Sequence, residues 1–308
     1  MPSESGEFAF IEWLRHLTPP NPRVLLGPGD DAAVIHFAEP TNCLITTDML
    51  MDGTCFHLAD AGPRLVGRKA MAVNLSDMAA MAGKPLAAVV SVALPRPRGR
   101  ALAEELYAGL LELAKAYETA VVGGDTSSWD GPLVVSVTLL GEATARGAVG
   151  RTGARIGDRL LVTGTLGGSI LGKHLHFTPR VREAMELQAA ADIHAMIDIS
   201  DGLAADTYRL CKESGCGARL HAAAVPIAHA AELIQDEKSP LDHALGDGED
   251  FELVFAVDPS DAERLLHDQP VSGIKLVCFG ECVADGLWLE QNGCTTKLEP
   301  HGYVHELE

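Results

Sequence analysis

Short apolar runs of strand length alternate along this chain with longer stretches of helical spacing. Residues 8–16 have helical spacing, with Phe8, Ile11, Trp13 and Leu14 as apolar contacts, and Pro19-Pro20 ends that element. Strands are expected from Val24 to Leu26, Ala33 to Phe37 and Cys43 to Thr47. The stretch from Pro63 to Met81, rich in Ala, Met and Leu, predicts a helix that carries Asp77 near its end. A buried strand is expected from Leu86 to Leu94, and a helix from about Arg100 to Tyr117. Strands from Ala120 to Val122 and from Leu133 to Leu140 flank an expected turn at Gly123-Gly124-Asp125. This order predicts an α/β (α+β) chain whose first, mixed-sheet domain ends near Gly150. Arg151 to Asp158 reads as a hinge. A second α/β unit follows: a strand from Arg159 to Thr163, helices near 167–176 and 181–191, a strand from Ala195 to Ile199, a helix from Leu203 to Ser214, and a strand from Phe251 to Val257. The domains are expected at 1–150 and 151–308.

Composition narrows the function. Hydrophobic residues make up 47% of the 308, enough for a core throughout. The chain has 24 Lys+Arg against 43 Asp+Glu, a formal net charge of -19, which excludes nucleic acid and anionic membrane as partners. No apolar run approaches the length of a membrane span, and Met1 to Glu7 is polar and acidic, unlike a signal peptide. Among the seven cysteines, neither Cys211 with Cys216 nor Cys278 with Cys282 has the further partners of a zinc site. They read as reduced thiols of a cytoplasmic protein. His174, His176 and His194 read as surface or linker residues.

The chemistry lies in seven aspartates beside glycine, threonine or serine, where turns are expected: Asp30, Asp31, Asp48, Asp77, Asp125, Asp198 and Asp201. Carboxylates that share a cleft stay ionised together only with cations between them. Hard oxygen ligands suit Mg²⁺, which shares its shell with substrate phosphates. Singly, each acid also fits a turn or a helix cap, as Ser200 with Asp201 does ahead of Leu203. Two phosphate-loop mimics fail on inspection. Gly27-x-Gly29-x-x-Ala32 runs into a strand rather than a helix and presents Asp30 and Asp31 to any pyrophosphate. Gly167-x-x-x-x-Gly172-Lys173 is followed by His174, where a Mg²⁺-binding hydroxyl belongs.

Seven fragments together are more specific: Gly27 to Ile35, Ile45 to Leu50, Lys69 to Met81, Val122 to Thr126, Arg151 to Asp158, Ile197 to Leu203, and Gly248 to Leu253. At this spacing they closely resemble the thiamine-monophosphate kinase family, within the aminoimidazole ribonucleotide synthetase-like superfamily. The resemblance runs from about Gly6 to Tyr303. It implies a two-domain fold: an N-terminal mixed sheet with helices on one face, binding ATP and Mg²⁺ and pairing into a homodimer, and a C-terminal α/β domain. It implies phosphorylation of thiamine phosphate by ATP through direct in-line transfer, assisted by several Mg²⁺ ions. The implied metal ligands are Asp30, Thr46, Thr47, Asp48, Asp77, Asp125 and Asp198, with Asp201 on a further ion. Asp30, Asp48, Asp77, Asp125 and Asp198 are the implied catalytic set. ATP contacts would come from Gly124, Asp125, Arg151 and Ser200, and substrate contacts from Glu249 and Tyr303.

The chemistry agrees with that picture. The nucleophile is already an anionic phosphate oxygen and needs no general base. The difficulty is its repulsion from the γ-phosphate, several kcal/mol at ~4 Å and an effective dielectric of about 20. Two departures fall on the acceptor side. Cys55 stands where the family has a substrate-contacting histidine, so His57, on the same face if the segment is extended, is expected to cover that role. Asp247 replaces the first glycine of the family's Gly-Gly-Glu-Asp. Another ATP-dependent enzyme of the superfamily with a different acceptor, or a nucleotide-binding scaffold without turnover, are the alternatives.

Overall fold

Strand β3 (Asn42–Met51) sets the frame of the first half. Its side chains alternate: Leu44, Thr46 and Leu50 are buried, while Thr47 and Met49 point outward. The structure, a computed structural model, describes residues 24–26, 33–36, 42–96 and 99–303. The helix expected at 8–16 lies outside them, as do Asp30 and Asp31.

β3 joins β1 (Val24–Leu26), β2 (Ala33–His36), β4 (Lys84–Pro95), β5 (Ala120–Trp129) and β6 (Val134–Glu142) in a six-stranded sheet of order β1-β2-β3-β6-β4-β5. Only β4 and β5 pair in parallel. Helices α1 (Leu58–Ala80) and α2 (Gly99–Ala116) cover one face. The helix expected from Pro63 begins earlier: one turn precedes a kink at Gly62, whose φ of 73 breaks the helical run before Pro63. β4 is buried on one face only, with Ser91 outward, rather than throughout. The expected turn at Gly123-Gly124-Asp125 is strand instead, because β4 pairs with β5 through all of it.

The second half is built on a seven-stranded sheet of order β13-β12-β9-β11-β7-β10-β8. Its strands are β7 (Arg159–Thr163), β8 (Ala195–Asp198), β9 (Gly217–His221), β10 (Leu253–Val257), β11 (Leu276–Val283), β12 (Leu287–Gln291) and β13 (Cys294–Lys297). Its helices are α3 (Lys173–His176), α4 (Val181–Ala190), α5 (Leu203–Glu213), α6 (His229–Leu233), α7 (Pro240–Gly246) and α8 (Pro259–Asp268). The helix expected over 167–176 is only a 3-10 turn, Ser169–Leu171, and the four-residue α3. His194 is buried, not superficial, with Nδ1 2.8 Å from Asp158 Oδ2.

Both faces of the central strands β7 and β10 are covered, which is why their sequences are apolar without alternation. Leu161, Leu253 and Phe255 share with residues of α1, α4 and α8 a core that also holds Leu44, Val90 and Val137 of the first sheet. Leu160, Val162 and Val254 face Leu203 and Leu210 of α5 in a second core. Helix α1 is thus a layer shared by both sheets. Among the described residues, no helix is long and apolar enough to cross a membrane.

Candidate active site

Two consecutive residues of α1 reach opposite halves of the molecule. Thr46 Oγ1 on β3 donates to Asp77 Oδ2, and Ser76 Oγ donates to Asp198 Oδ2 at the end of β8, 2.5 Å away. Neighbours on a helix are about 100° apart, so one can face each sheet. With Asp48, one residue beyond Thr47 on β3, these acids line a cavity of about 600 Å³. The sequence reading put the seven aspartates beside expected turns, with Asp77 late in a helix and Asp198 in a strand, where they are found. Asp48 and Asp125, expected at turns, lie instead inside β3 and β5.

The other wall is a clasp of two segments. Glu249 N–H donates to Ser200 O at 2.7 Å, and Phe251 N–H to Ile199 O at 2.8 Å. The approach is close: a Cβ on Gly248, whose φ is 75, would sit 2.7 Å from Ser200 O. Glu249 itself has φ 53, left-handed and costly for a residue with a side chain. Lys69, wholly buried on α1, donates to Glu249 Oε1. Phe251 stacks on Phe177, with centroids 4.0 Å apart. Ser200, Asp201, Cys55, Glu249 and Tyr303 line the cavity, and Tyr303 N–H donates to Asp201 O at 3.0 Å. Asp201 also pairs with Arg209. Beneath it Asp206 accepts the backbone N–H groups of Asp201 and Gly202, both at 3.0 Å. Burial, with Asp201 adding negative charge nearby, pushes the Asp206 carboxyl up to about 7.

The cavity also holds residues that the sequence reading passed over: Asp236, Lys238 and His243. His243 is buried between two acids, Nε2 at 3.1 Å from Asp236 and Nδ1 at 2.9 Å from Asp247. The Lys238 backbone N–H, and His243 after it, hold the Asp236 carboxyl below its ordinary range. The signal was present in Ser239-Pro240-Leu241-Asp242, a capping box with proline at the first helical position, which announces α7.

Of the expected residues that the structure describes, some do not reach this cavity. Asp30 lies outside the described residues. The Thr47 side chain is on the opposite face of β3 from Thr46 and bonds Val137 O and Thr138 Oγ1. His57 is exposed at the start of α1, because residues 53–55 form a turn and not the extended segment that would have aligned it with Cys55. Gly124 and Asp125 line no part of the cavity. The registers run Met49–Ser136–Ser91–Asp125 across the sheet. Asp125 therefore shares the face of Met49 and Thr47, which no helix among the described residues covers, about 14 Å from β3 at the usual strand spacing. Arg151, also outside the lining, acts electrostatically on Asp206.

The donors suit a hard cation. Asp48, Asp77 and Asp198 offer carboxylate oxygens, and the hydroxyls of Thr46 and Ser76 steady two of them. Among the described residues these acids do not converge into a closed three-ligand cage. The Gly167–Lys173 mimic is filled from within: Gly167 N–H donates to Asp250, and Lys173 pairs with Asp250 and Glu252 at 3.4 and 3.1 Å. Ala33–His36, after the dinucleotide-like residues, is a strand.

Comparison with known proteins decides the family. The model of the AIR synthase related protein N-terminal domain matches residues 29–143, and that of the C-terminal domain matches 155–286. The thiamine-monophosphate kinase of Rhodopirellula baltica is 41% identical over 312 residues, 97% of each chain. That of Salmonella typhimurium is 34% identical, covering 97% of this chain and 98% of its own. The chain belongs to the thiamine-monophosphate kinase family. A solved structure of AaThiL complexed with AMPPCP and TMP superposes with a TM-score of 0.83, at 30% identity over 97% of both chains. An Aquifex aeolicus structure of thiamine monophosphate kinase gives 0.78 at 28% identity, covering 95% of this chain and 98% of its own. The family fold of two mixed-sheet halves is the one described above.

Proposed function

We propose that this chain transfers the γ-phosphoryl group of ATP to thiamine phosphate, giving ADP and thiamine diphosphate. The observation that carries the reading is the meeting of Asp48, Asp77 and Asp198, from three elements and both halves, in one cavity bounded by Glu249 and Tyr303. The curated family relatives and the AaThiL complex with AMPPCP and TMP support the choice of substrates. A phosphate oxygen of thiamine phosphate attacks the γ-phosphorus in line, and the bond from that phosphorus to the β–γ bridging oxygen breaks. No proton has to be removed from the nucleophile, so alignment and charge decide the rate.

Asp48, Asp77 and Asp198 are the residues we assign to magnesium. Bound there, Mg²⁺ would neutralise the two phosphate groups that must approach. Thr46 and Ser76 hold their carboxylates in place. Asp201 is a weaker candidate, since Arg209 already pairs with it. Glu249, oriented by Lys69, and Tyr303 are assigned to the acceptor, with Cys55 beside them. Ser200, Gly124, Asp125 and Arg151 remain our assignment for ATP, with Asp30 completing the metal set.

We assign magnesium and nucleotide binding chiefly to residues 1–150 and acceptor contacts chiefly to 151–308. The face of the first sheet that no helix among the described residues covers bears exposed Met49 and Trp129, which supports pairing of two copies through it. A cytoplasmic enzyme using cellular ATP fits this reading.

The test is to incubate the purified chain with ATP and Mg²⁺, with and without thiamine phosphate, and to follow ADP and thiamine diphosphate. Diphosphate formed only with acceptor supports the reading. ADP without diphosphate would favour another acceptor, and binding without turnover a scaffold.

A further inference from the structure

Three cysteines with no part in phosphoryl transfer meet at the far end of α5. The helix closes with Cys216 N–H donating to Cys211 O at 2.9 Å and Gly215 N–H to Lys212 O at 3.1 Å, Gly215 being left-handed at φ 72. Such a cap folds the chain after the glycine back onto the last full turn, which brings Cys216 against Cys211. The third thiol comes from β11. Cys282 N–H donates to Asp158 O at 2.8 Å, and its carbonyl accepts from Gly157 N–H at 2.9 Å, so the 155–158 turn fixes that part of the strand.

The three sulfur atoms all lie within 4.8 Å of one another. Cys211 and Cys282 are buried, and Cys216 is half-buried. Packing at the helix cap explains one contact, Cys216 on Cys211. It does not call for a thiol from a separate element at the same point. Zinc–sulfur bonds of about 2.3 Å hold tetrahedral sulfurs about 3.8 Å apart, inside the observed range. The sequence hid this group, because its members come from a helix end, a turn and a distant strand.

We propose that Cys211, Cys216 and Cys282 form a three-thiolate site for one thiophilic d¹⁰ cation, zinc or cadmium, with its fourth position open to solvent beside Cys216. Binding replaces three S–H bonds by three metal–sulfur bonds and releases three protons, with no change of oxidation state. The ion pins the C-terminal end of α5 to β11. Ser200, Asp201 and Gly202 lie at the other end of α5, about 16 Å away along its 11 residues. The site is therefore structural and independent of the phosphate chemistry.

The test titrates the full, reduced chain with Cd²⁺ in excess Mg²⁺, which occupies carboxylate sites, and reads sulfur-to-cadmium charge-transfer absorption. Saturation at one equivalent is expected. Cys216→Ser should weaken binding at least tenfold, and Cys294→Ser, on the exposed β13, should leave it unchanged. Zn²⁺ should raise the Tm of the parent chain and not that of Cys216→Ser. No charge-transfer band, or a Cys216→Ser titration identical to the parent, overturns the proposal. If the buried variant Cys282→Ala does not fold, the Cys216→Ser titration alone decides.

Discussion

Lys69 Nζ lies 2.5 Å from Glu249 Oε1 and 2.7 Å from Cys55 O, and its side chain is wholly buried while that of Glu249 is 36% exposed. The pair ties the shared helix to the acceptor wall across 180 residues of sequence. Its two ends are not equivalent. Glu249→Ala leaves a buried ammonium with one carbonyl partner, and is expected to cost about 3 kcal/mol. Lys69→Met leaves a carboxylate that water can reach, and should cost less than half of that. Urea denaturation of the two variants checks the order, and both should raise KM for thiamine phosphate more than KM for ATP.

Asp198→Asn removes a charge where two phosphates must meet. It is expected to lower kcat by about 10²–10³-fold, the scale of losing one fixed electrostatic group. Ser76→Ala keeps the carboxylate and removes its donor, worth about 1–2 kcal/mol, so roughly a tenfold loss is expected. Steady-state rates across a Mg²⁺ titration separate the two, since raised Mg²⁺ should partly restore Ser76→Ala and not Asp198→Asn.

His57→Ala should leave KM for thiamine phosphate within about twofold of the parent, the range of an exposed residue with no contact to lose. His57 lies outside the cavity and Cys55 lines it. A large rise in KM in acceptor titrations would restore the role that the sequence suggested.

Asp206 makes stability depend on pH. Its carboxyl is raised from 3.8 to about 7 on folding, so the folded state holds the proton more tightly than the unfolded chain. That contribution is complete below the unfolded value and is lost as pH rises through about 7. Thermal melts of the nucleotide-free chain from pH 4 to 8 should therefore carry a falling component that Asp206→Asn removes.

Most of the first half was legible because its strands alternate and its helices are long. β1 and β2 fall within the expected bounds. The later elements were not, since α6, α7 and the short strands β12 and β13 bury too little each to leave a periodic signal. Two sequence cues were nevertheless available there, Ser239-Pro240 and Asp258-Pro259, each an N-cap followed by proline. At the site, residue types were readable and directions were not. That Thr46 and Thr47 diverge follows from β3 continuing through Asp48, and strand length depends on β6 pairing from far along the chain. Lys69 opened one of the family-like fragments but was given no role, because a lysine in an Ala-Met-rich helix looks like a solvent-facing residue. Only the tertiary fold shows it buried.

Helix α1 meets three partners in nine residues: Glu249 through Lys69, Asp198 through Ser76, and Thr46 through Asp77. Adding or deleting one residue between Lys69 and Ser76 would swing everything beyond it by about 100°. Both acids would then leave their hydroxyl donors together while the lysine stayed in place. The spacing within this stretch is thus as binding a constraint as the residues themselves, and a length change here would cost more than most side-chain replacements.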